Sequence, residues 1–158
     1  MKMRHPDREI ADIQEIAQVF ERADTIRIGM HGGDYPYVVP VSYGWELVDG
    51  QIAVYFHGAR RGMKYDLLRA DPRVCVEADV LHGYVPNGDS YTSDYESAIG
   101  FGEAESLTGD EAVHGMQLLL RHCGAPEDGA EKCILRDITE MTRVVLVRVS
   151  GKRRFKRR

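Results

Sequence analysis

The sequence predicts a mainly β protein: a closed or nearly closed antiparallel barrel of six or seven strands with peripheral helices. Three observations carry that reading. Short apolar segments alternate with period two, turn-forming residues separate them, and helical periodicity is confined to stretches near the N-terminus, after residue 62 and after residue 108. The chain has 158 residues, 43% of them apolar and 29% charged, which suits one soluble domain with its own core. It shows no repeat, low-complexity stretch or internal boundary, so one domain over residues 1–150 is expected.

Asp7 is read as a helix N-cap, with Ile10, Ile13, Ala17 and Phe20 at helical spacing up to about Ala23. A strand from Thr25 to Met30 reaches the turn His31-Gly32-Gly33-Asp34, and the chain returns as a hairpin. From Tyr37 to Trp45 every odd position is apolar, which predicts one continuous strand with one face firmly buried. Val48-Asp49-Gly50 turns the chain into a strand from Gln51 to Phe56, and a helix follows over 62–70. Asp71-Pro72 ends that helix, and Arg73 to Val80 alternates as a strand. Leu81 to Asp94, rich in Gly, Pro, Asn, Asp and Tyr, reads as a long loop of the kind that forms a lid or a partner contact or is disordered. Tyr95 to Ser106 returns to strand, and Thr108 to Glu111 is a capping box opening a helix to about His122. After a short helical piece, Met141 to Val149 is a last strand, apolar on both faces and therefore central or at a subunit contact.

The net charge is −4, which gives no reason to expect nucleic acid or membrane as a partner. The last eight residues, 151–158, hold six of the 21 Lys and Arg and read as a flexible basic tail. The N-terminus lacks signal-peptide character, and no run approaches the roughly 18 apolar residues of a membrane helix. Cys75, Cys123 and Cys133 are too few and too scattered for a disulfide scaffold, which fits a reducing cytoplasm. His114, His122, Cys123 and Cys133 lack metal-ligand spacing, and no metal site is expected.

Three segments bear on chemistry. Tyr55 to Lys64 runs from an apolar strand through His57-Gly58 and two arginines into a helix carrying Lys64 in its first turn. A strand feeding a helix N-terminus gathers free N–H groups and the positive end of a dipole, and Arg60, Arg61 and Lys64 add charge, so the point suits an anion such as a phosphate. It is not a P-loop. Pro40 sits inside the most hydrophobic strand and cannot donate to a ladder, so that strand must be an edge or bulged, with the backbone of Val39 to Ser42 accessible. In the third segment Ala98, Gly100, Gly102 and Ala104 make a strand face without bulk, where another backbone, a flat ring or a second subunit can approach.

In this order and spacing, Val39-Pro40-Val41-Ser42-Tyr43, Tyr55-Phe56-His57-Gly58-Ala59 with Gly62 and Lys64, and Ser97 to Gly102 resemble the FMN-binding split-barrel family related to pyridoxamine 5′-phosphate oxidase. Within it the chain looks like the nitroimidazole-resistance (Nim) branch, which carries a similar HGAxxGxK element and GFG strand; the opening Met3-Arg4-His5 to Ile10 also fits. The resemblance implies a split β-barrel with FMN as cofactor. The backbone of Val39, Pro40, Val41 and Ser42 would line the flavin ring edge, and Phe56, His57 and Lys64 would surround the ribityl phosphate or the near side of the ring. Ser97 would touch the flavin from the strand before GFG. It also implies a homodimer with FMN at the subunit interface.

The departures bear on the reaction. Where the oxidase carries a lysine for substrate phosphate the chain has neutral Ser42, Met63 replaces the arginine before the helix lysine, and no Arg-x-His occurs. Pyridoxamine phosphate oxidation is therefore not expected. The expected activity is reduction of a small organic acceptor, nitroaromatic or quinone-like, with His57 as the candidate catalytic residue that donates a proton near the flavin. No dinucleotide fingerprint is present, so NAD(P)H would dock transiently. The alternatives are a non-catalytic flavin-storage protein and a protein of the same fold using heme or a deazaflavin.

Overall fold

The computed structural model describes residues 3–134 and 139–155. In chain order the strands are β1 (Glu9–Ile10), β2 (Ile26–Met30), β3 (Tyr37–Val41), β4 (Gly44–Val48), β5 (Gln51–Ala59), β6 (Arg73–Asn87), β7 (Ser90–Leu107), β8 (Thr139–Val145) and β9 (Arg148–Arg154). The helices are α1 (Ile13–Arg22), α2 (Met63–Ala70), α3 (Gly109–His122) and α4 (Ala130–Ile134). The sheet runs β3-β2-β6-β7-β8-β5-β4, with β9 branching from β7 and β1 pairing β9. Its two end strands, β3 and β4, are neighbours in sequence, so Ser42-Tyr43 bridges the split where the barrel does not close.

β7 organises this arrangement. One edge pairs β6 from Ser90 to Glu103, while the other pairs β9 from Tyr95 to Phe101 and then β8 from Ala104 to Leu107. The handover is a sharp corner between β8 and β9, fixed by Leu146 N–H to Ile52 O at 2.8 Å and Val147 N–H to Phe101 O at 2.9 Å. The bare face of β7 makes the corner possible. A Cβ on Gly102 would lie 2.2 Å from the Val145 carbonyl oxygen, and one on Gly100 would lie 2.6 Å from a Leu146 methyl. The small residues of β7 therefore receive the protein's own chain inside the barrel.

Apolar alternation builds two cores. The larger joins Ile16, Val19 and Phe20 of α1 to inward residues such as Ile26, Val54, Val76, Ala98 and Val144. The smaller lies between α3–α4 and the other side of β5 and β8, around Tyr55, Met116, Leu119 and Met141. At one edge of the larger core Glu96 is only 1% exposed. Arg22 grips its two oxygens at 2.5 and 2.7 Å, while Arg153 at 3.3 Å and His82 at 3.1 Å complete the set. Burial alone would raise the Glu96 pKa; the bonds to Arg22 and His82, with the Arg153 charge, outweigh it and hold the carboxyl below its usual range. The stability it lends is present at neutral pH and is lost as pH falls through that lowered value.

Several local expectations are corrected. Asp12, not Asp7, caps α1, accepting from Gln14 N–H at 2.7 Å; Pro6–Arg8 forms a 3-10 turn, and Glu9–Ile10 pairs β9 because Ile10 packs over bare Gly151. The strand read from Tyr37 to Trp45 is two strands, since Tyr43 turns fully inward and donates to the carbonyls of Phe20 and Ala23. Its face is less buried than expected, with Tyr37, Val39, Val41 and Trp45 half-buried. Leu81 to Asp94 is no loop, because β6 and β7 stay paired out to Asn87↔Ser90 and turn through Gly88 at φ 62°. Thr108 stands at the N-cap of α3 but makes no side-chain cap, and Glu111 accepts from Arg143 rather than closing a capping box. The last strand divides at the corner. The expected flexible tail begins as strand β9, which continues through Arg154; residues 156–158 lie outside the described residues. Pro40 does lie on an edge strand, opposite Arg27.

The two β7 glycines should respond differently to alanine. Gly102→Ala meets a backbone carbonyl that cannot yield and should cost about 2–3 kcal/mol in urea unfolding, whereas Gly100→Ala meets movable Leu146 methyls and should cost under about 1.5 kcal/mol. Equal costs would contradict this account of the corner.

Candidate functional site

β5 continues past Phe56 through His57, Gly58 and Ala59 because β8 offers a partner as far as Ala59↔Thr139. A loop then leads to Gly62, whose φ of 118° only glycine adopts readily, and α2 begins with no side-chain cap. Lys64 in the first turn folds back over β5. Its Nζ donates to the His57 carbonyl at 3.2 Å and stands 5.2 Å from the Phe56 ring centroid and 4.8 Å from that of Tyr65. Bare Gly58 permits this, since a Cβ there would lie 2.6 Å from Nζ and 3.1 Å from the Tyr65 ring.

The surroundings hold this cluster firmly. Tyr65 is buried and donates to the Glu140 carbonyl at 2.9 Å; burial pushes its phenol up to about 12. Arg69 bonds the Arg60 carbonyl at 3.0 Å and the Glu140 carboxylate at 2.7 Å, bracing the loop, while Arg60 Nε donates to the Thr139 carbonyl at 3.3 Å. Arg61 is exposed and, among the described residues, its guanidinium forms no ion pair. Thr142, opposite Phe56 on β8, is 2% exposed and its Oγ1 has no hydrogen-bond partner among the described residues.

Partial burial holds the Lys64 ammonium below its usual value, against a smaller pull from Glu140. His57 remains exposed, yet lost hydration around the ring, with Lys64 as a second cause, sets its pKa below the ordinary one. The imidazole is therefore neutral at pH 7. The cluster offers an anion an ammonium and the first N–H groups of a helix, with a neutral imidazole beside the ammonium and exposed Arg61 in the preceding loop.

The residues named from the sequence are brought together in part. The β4–β5 pairing ends at Gly44↔Tyr55, two residues short of His57, and Ser42 is exposed in the two-residue link between β3 and β4. Val39 and Val41 turn towards the core, while Pro40 faces solvent. Phe56 is fully buried, and its ring lies under the Lys64 ammonium. Ser97 is not beside His57. It stands on the outer face of β7 between Asp79 and Lys152, far along the strand from Leu107, whose rung continues through Met141 to His57. A broad groove of about 1000 Å³ opens elsewhere, lined by Met30, His31, Cys75, Phe101, Val147 and Arg148 among others, and none of the named residues borders it. Sequence reasoning missed Tyr65, Glu140 and Thr142. Tyr65 stood one residue from Lys64, but nothing local links β8 to this site.

The Lys64 charge should be readable at His57. In an NMR titration the His57 imidazole should titrate below the ordinary histidine value of about 6.5, and Lys64→Met should move it part of the way back. An unmoved value would show that Lys64 does not act on the ring.

A sequence model of the family described as pyridoxamine 5′-phosphate oxidase matches residues 12–153. No curated protein matches the chain. Among solved structures, a candidate 5-nitroimidazole antibiotic resistance protein from Bacteroides thetaiotaomicron superposes with a TM-score of 0.74 at 25% identity, covering 91% of this chain and 85% of that one. An FAD-binding protein from Mesorhizobium loti gives 0.62 at 20% identity, covering 94% and 98%. An FAD- and heme-binding protein from Mycobacterium smegmatis gives 0.73 at 14% identity, covering 92% and 73%. The last two speak to the fold alone; the family match spans both cores, the His57–Lys64 cluster and most of β9, and by it the chain belongs to the pyridoxamine 5′-phosphate oxidase family.

Proposed function

We propose that this chain is an FMN-binding flavoprotein that reduces a small organic acceptor, nitroaromatic or quinone-like, using electrons from a transiently bound nicotinamide. The observation that carries the reading is Lys64 lodged over bare Gly58 at the start of α2, beside neutral His57. The donor set suits a phosphate monoester: an ammonium at the uncapped start of α2, with exposed Arg61 in the loop that leads into it. β3 is an edge strand, and its end at Ser42 offers the open backbone edge that a flat heterocycle needs. Family membership and the structural likeness to a candidate nitroimidazole-resistance protein support the same cofactor class and acceptor. The reading includes a homodimer with the cofactor at the subunit contact.

When bound, the flavin supplies hydride and electron transfer. Lys64 and Arg61 would hold the phosphate end, and the backbone from Val39 to Ser42 would line the ring. His57 would hydrogen-bond at the ring edge in its neutral form; its imidazolium, scarce because the pKa is lowered and more populated as pH falls, would be the form that passes a proton to the acceptor. Neutral Ser42 and Met63 leave the site without the extra cations of the oxidase, consistent with an uncharged acceptor and not a phosphorylated amine.

Two substitutions separate binding from chemistry. Lys64→Ala should weaken FMN affinity about tenfold or more in fluorescence titration while the protein stays folded, because it removes one charge-assisted phosphate contact. His57→Ala should retain FMN and lose acceptor reduction by about 10²-fold. Unchanged affinity in the first would remove the phosphate role, and full turnover in the second would remove the proton role.

A further inference from the structure

The second residue of β8 joins the anion site to the barrel. The Glu140 side chain is only 14% exposed, and both of its oxygens are engaged: Oε2 accepts from Arg69 Nη2 at 2.7 Å and Oε1 from Ser106 Oγ of β7 at 3.1 Å. Its backbone carbonyl accepts from the Tyr65 hydroxyl at 2.9 Å, and the Thr139 carbonyl before it accepts from Arg60 Nε at 3.3 Å. Arg69 donates in turn to the Arg60 carbonyl at 3.0 Å. One carboxylate thus ties β7 and β8 to the last turn of α2 and, through Arg69, to the loop before that helix.

Charge makes Glu140 more than a brace. Arg60, Arg61, Lys64 and Arg69 follow one another between the end of β5 and the end of α2. Arg69 has two carboxylate neighbours, Glu140 and the 73% exposed Asp66 at 3.7 Å. Lys64 forms no ion pair among the described residues; its Nζ bonds the His57 carbonyl instead. The Glu140 charge still acts on that ammonium, opposing the lost hydration that holds it below its usual value. The ammonium is therefore lost as pH rises through the lowered value. A bound anion raises that value again, so between the free and the bound value anion affinity falls by up to about tenfold per pH unit.

We propose that Glu140 is the positioning residue of the anion site: it supplies the countercharge for Lys64 and holds Arg69 against the loop instead of leaving it for the ligand. This rests on the phosphate reading above and names what sets the pH range of that site. Glu140→Gln and Arg69→Met break the same 2.7 Å bond but change the charge in opposite senses. The first deprives Lys64 of its countercharge, while the second leaves the carboxylate less neutralised and its pull on Lys64 stronger. A brace alone would respond alike to both.

Fluorescence titrations of the full chain with FMN test this from about pH 7.5, where a phosphate monoester is a dianion, to about pH 10. Riboflavin titrated in parallel accounts for ionisation of the ring, and the Tyr65 phenol, pushed up to about 12, stays protonated throughout. FMN affinity is expected to decline at the alkaline end. Glu140→Gln should move that decline down by about half a pH unit or more, Arg69→Met should leave it in place or move it up, and Lys64→Arg should abolish it. A decline that Glu140→Gln leaves unmoved, or that both substitutions move down, would overturn the role of Glu140 while leaving the phosphate reading intact. Should Glu140→Gln lose its native circular dichroism, a downward move in Arg69→Met alone overturns it. A chain that takes up no FMN at any pH would remove the phosphate reading. The NMR titration of the Lys64 side chain, assigned with Lys64→Arg and needing no flavin, then decides the countercharge: a lower midpoint in Glu140→Gln upholds it, and an unmoved one overturns it.

Discussion

The missing side chain of Gly102 is the constraint on which the rest of this structure depends. β7 is the longest strand and must serve two sheets, keeping β6 on one edge while exchanging β9 for β8 on the other. That exchange needs the chain to turn a corner against β7 at van der Waals contact, and a Cβ at Gly102 would sit within 2.2 Å of the Val145 carbonyl. Without the corner, β8 could not lie between β7 and β5. Met141 would then not reach His57, and Thr139 and Glu140 would not brace the loop before α2. The candidate site is thus a consequence of a packing solution formed elsewhere in the barrel.

The site itself repeats the device on a smaller scale. Gly58 is bare so that Lys64 can fold over β5, where Phe56 and Tyr65 present their ring faces to the ammonium. An ammonium held in this way loses hydration and conformational freedom before any ligand arrives, so less is lost when an anion binds. Lost hydration around His57, with the Lys64 charge as a second cause, lowers the pKa of its imidazole. Gly58 therefore sets the position of the cation that His57 senses.

Local chemistry made much of this legible in advance. Asp49-Gly50 gave the β4–β5 turn because both residues take positive φ there, and Pro40 marked an edge because it lacks an N–H. The failures share one physical cause, that long-range pairing overrode local composition. Leu81 to Asp94 has loop composition, yet Asn87-Gly88 in its middle is a hairpin signal and Tyr84, Val85, Tyr91 and Thr92 are good strand formers. Residues 151–154 look like a charged tail, but Arg153 is drawn inward to Glu96 and Glu15 while Lys152 and Arg154 turn out. The bare face of β7 was visible as a close-approach surface; that the approaching chain is its own β8–β9 corner depends on contacts more than 40 residues apart. Tyr65, Glu140 and Thr142 escaped notice for the same reason.

The central claim is that the His57–Lys64 cluster serves a bound flavin mononucleotide. The most direct measurement is the absorbance spectrum of the purified chain, with the chromophore released by denaturation and identified. The account predicts a flavin spectrum and release of FMN in proportion to the chain. A colourless protein that takes up no added FMN, or one that shows a heme spectrum, would contradict it, leaving the barrel and its β7 corner standing without the function assigned to them.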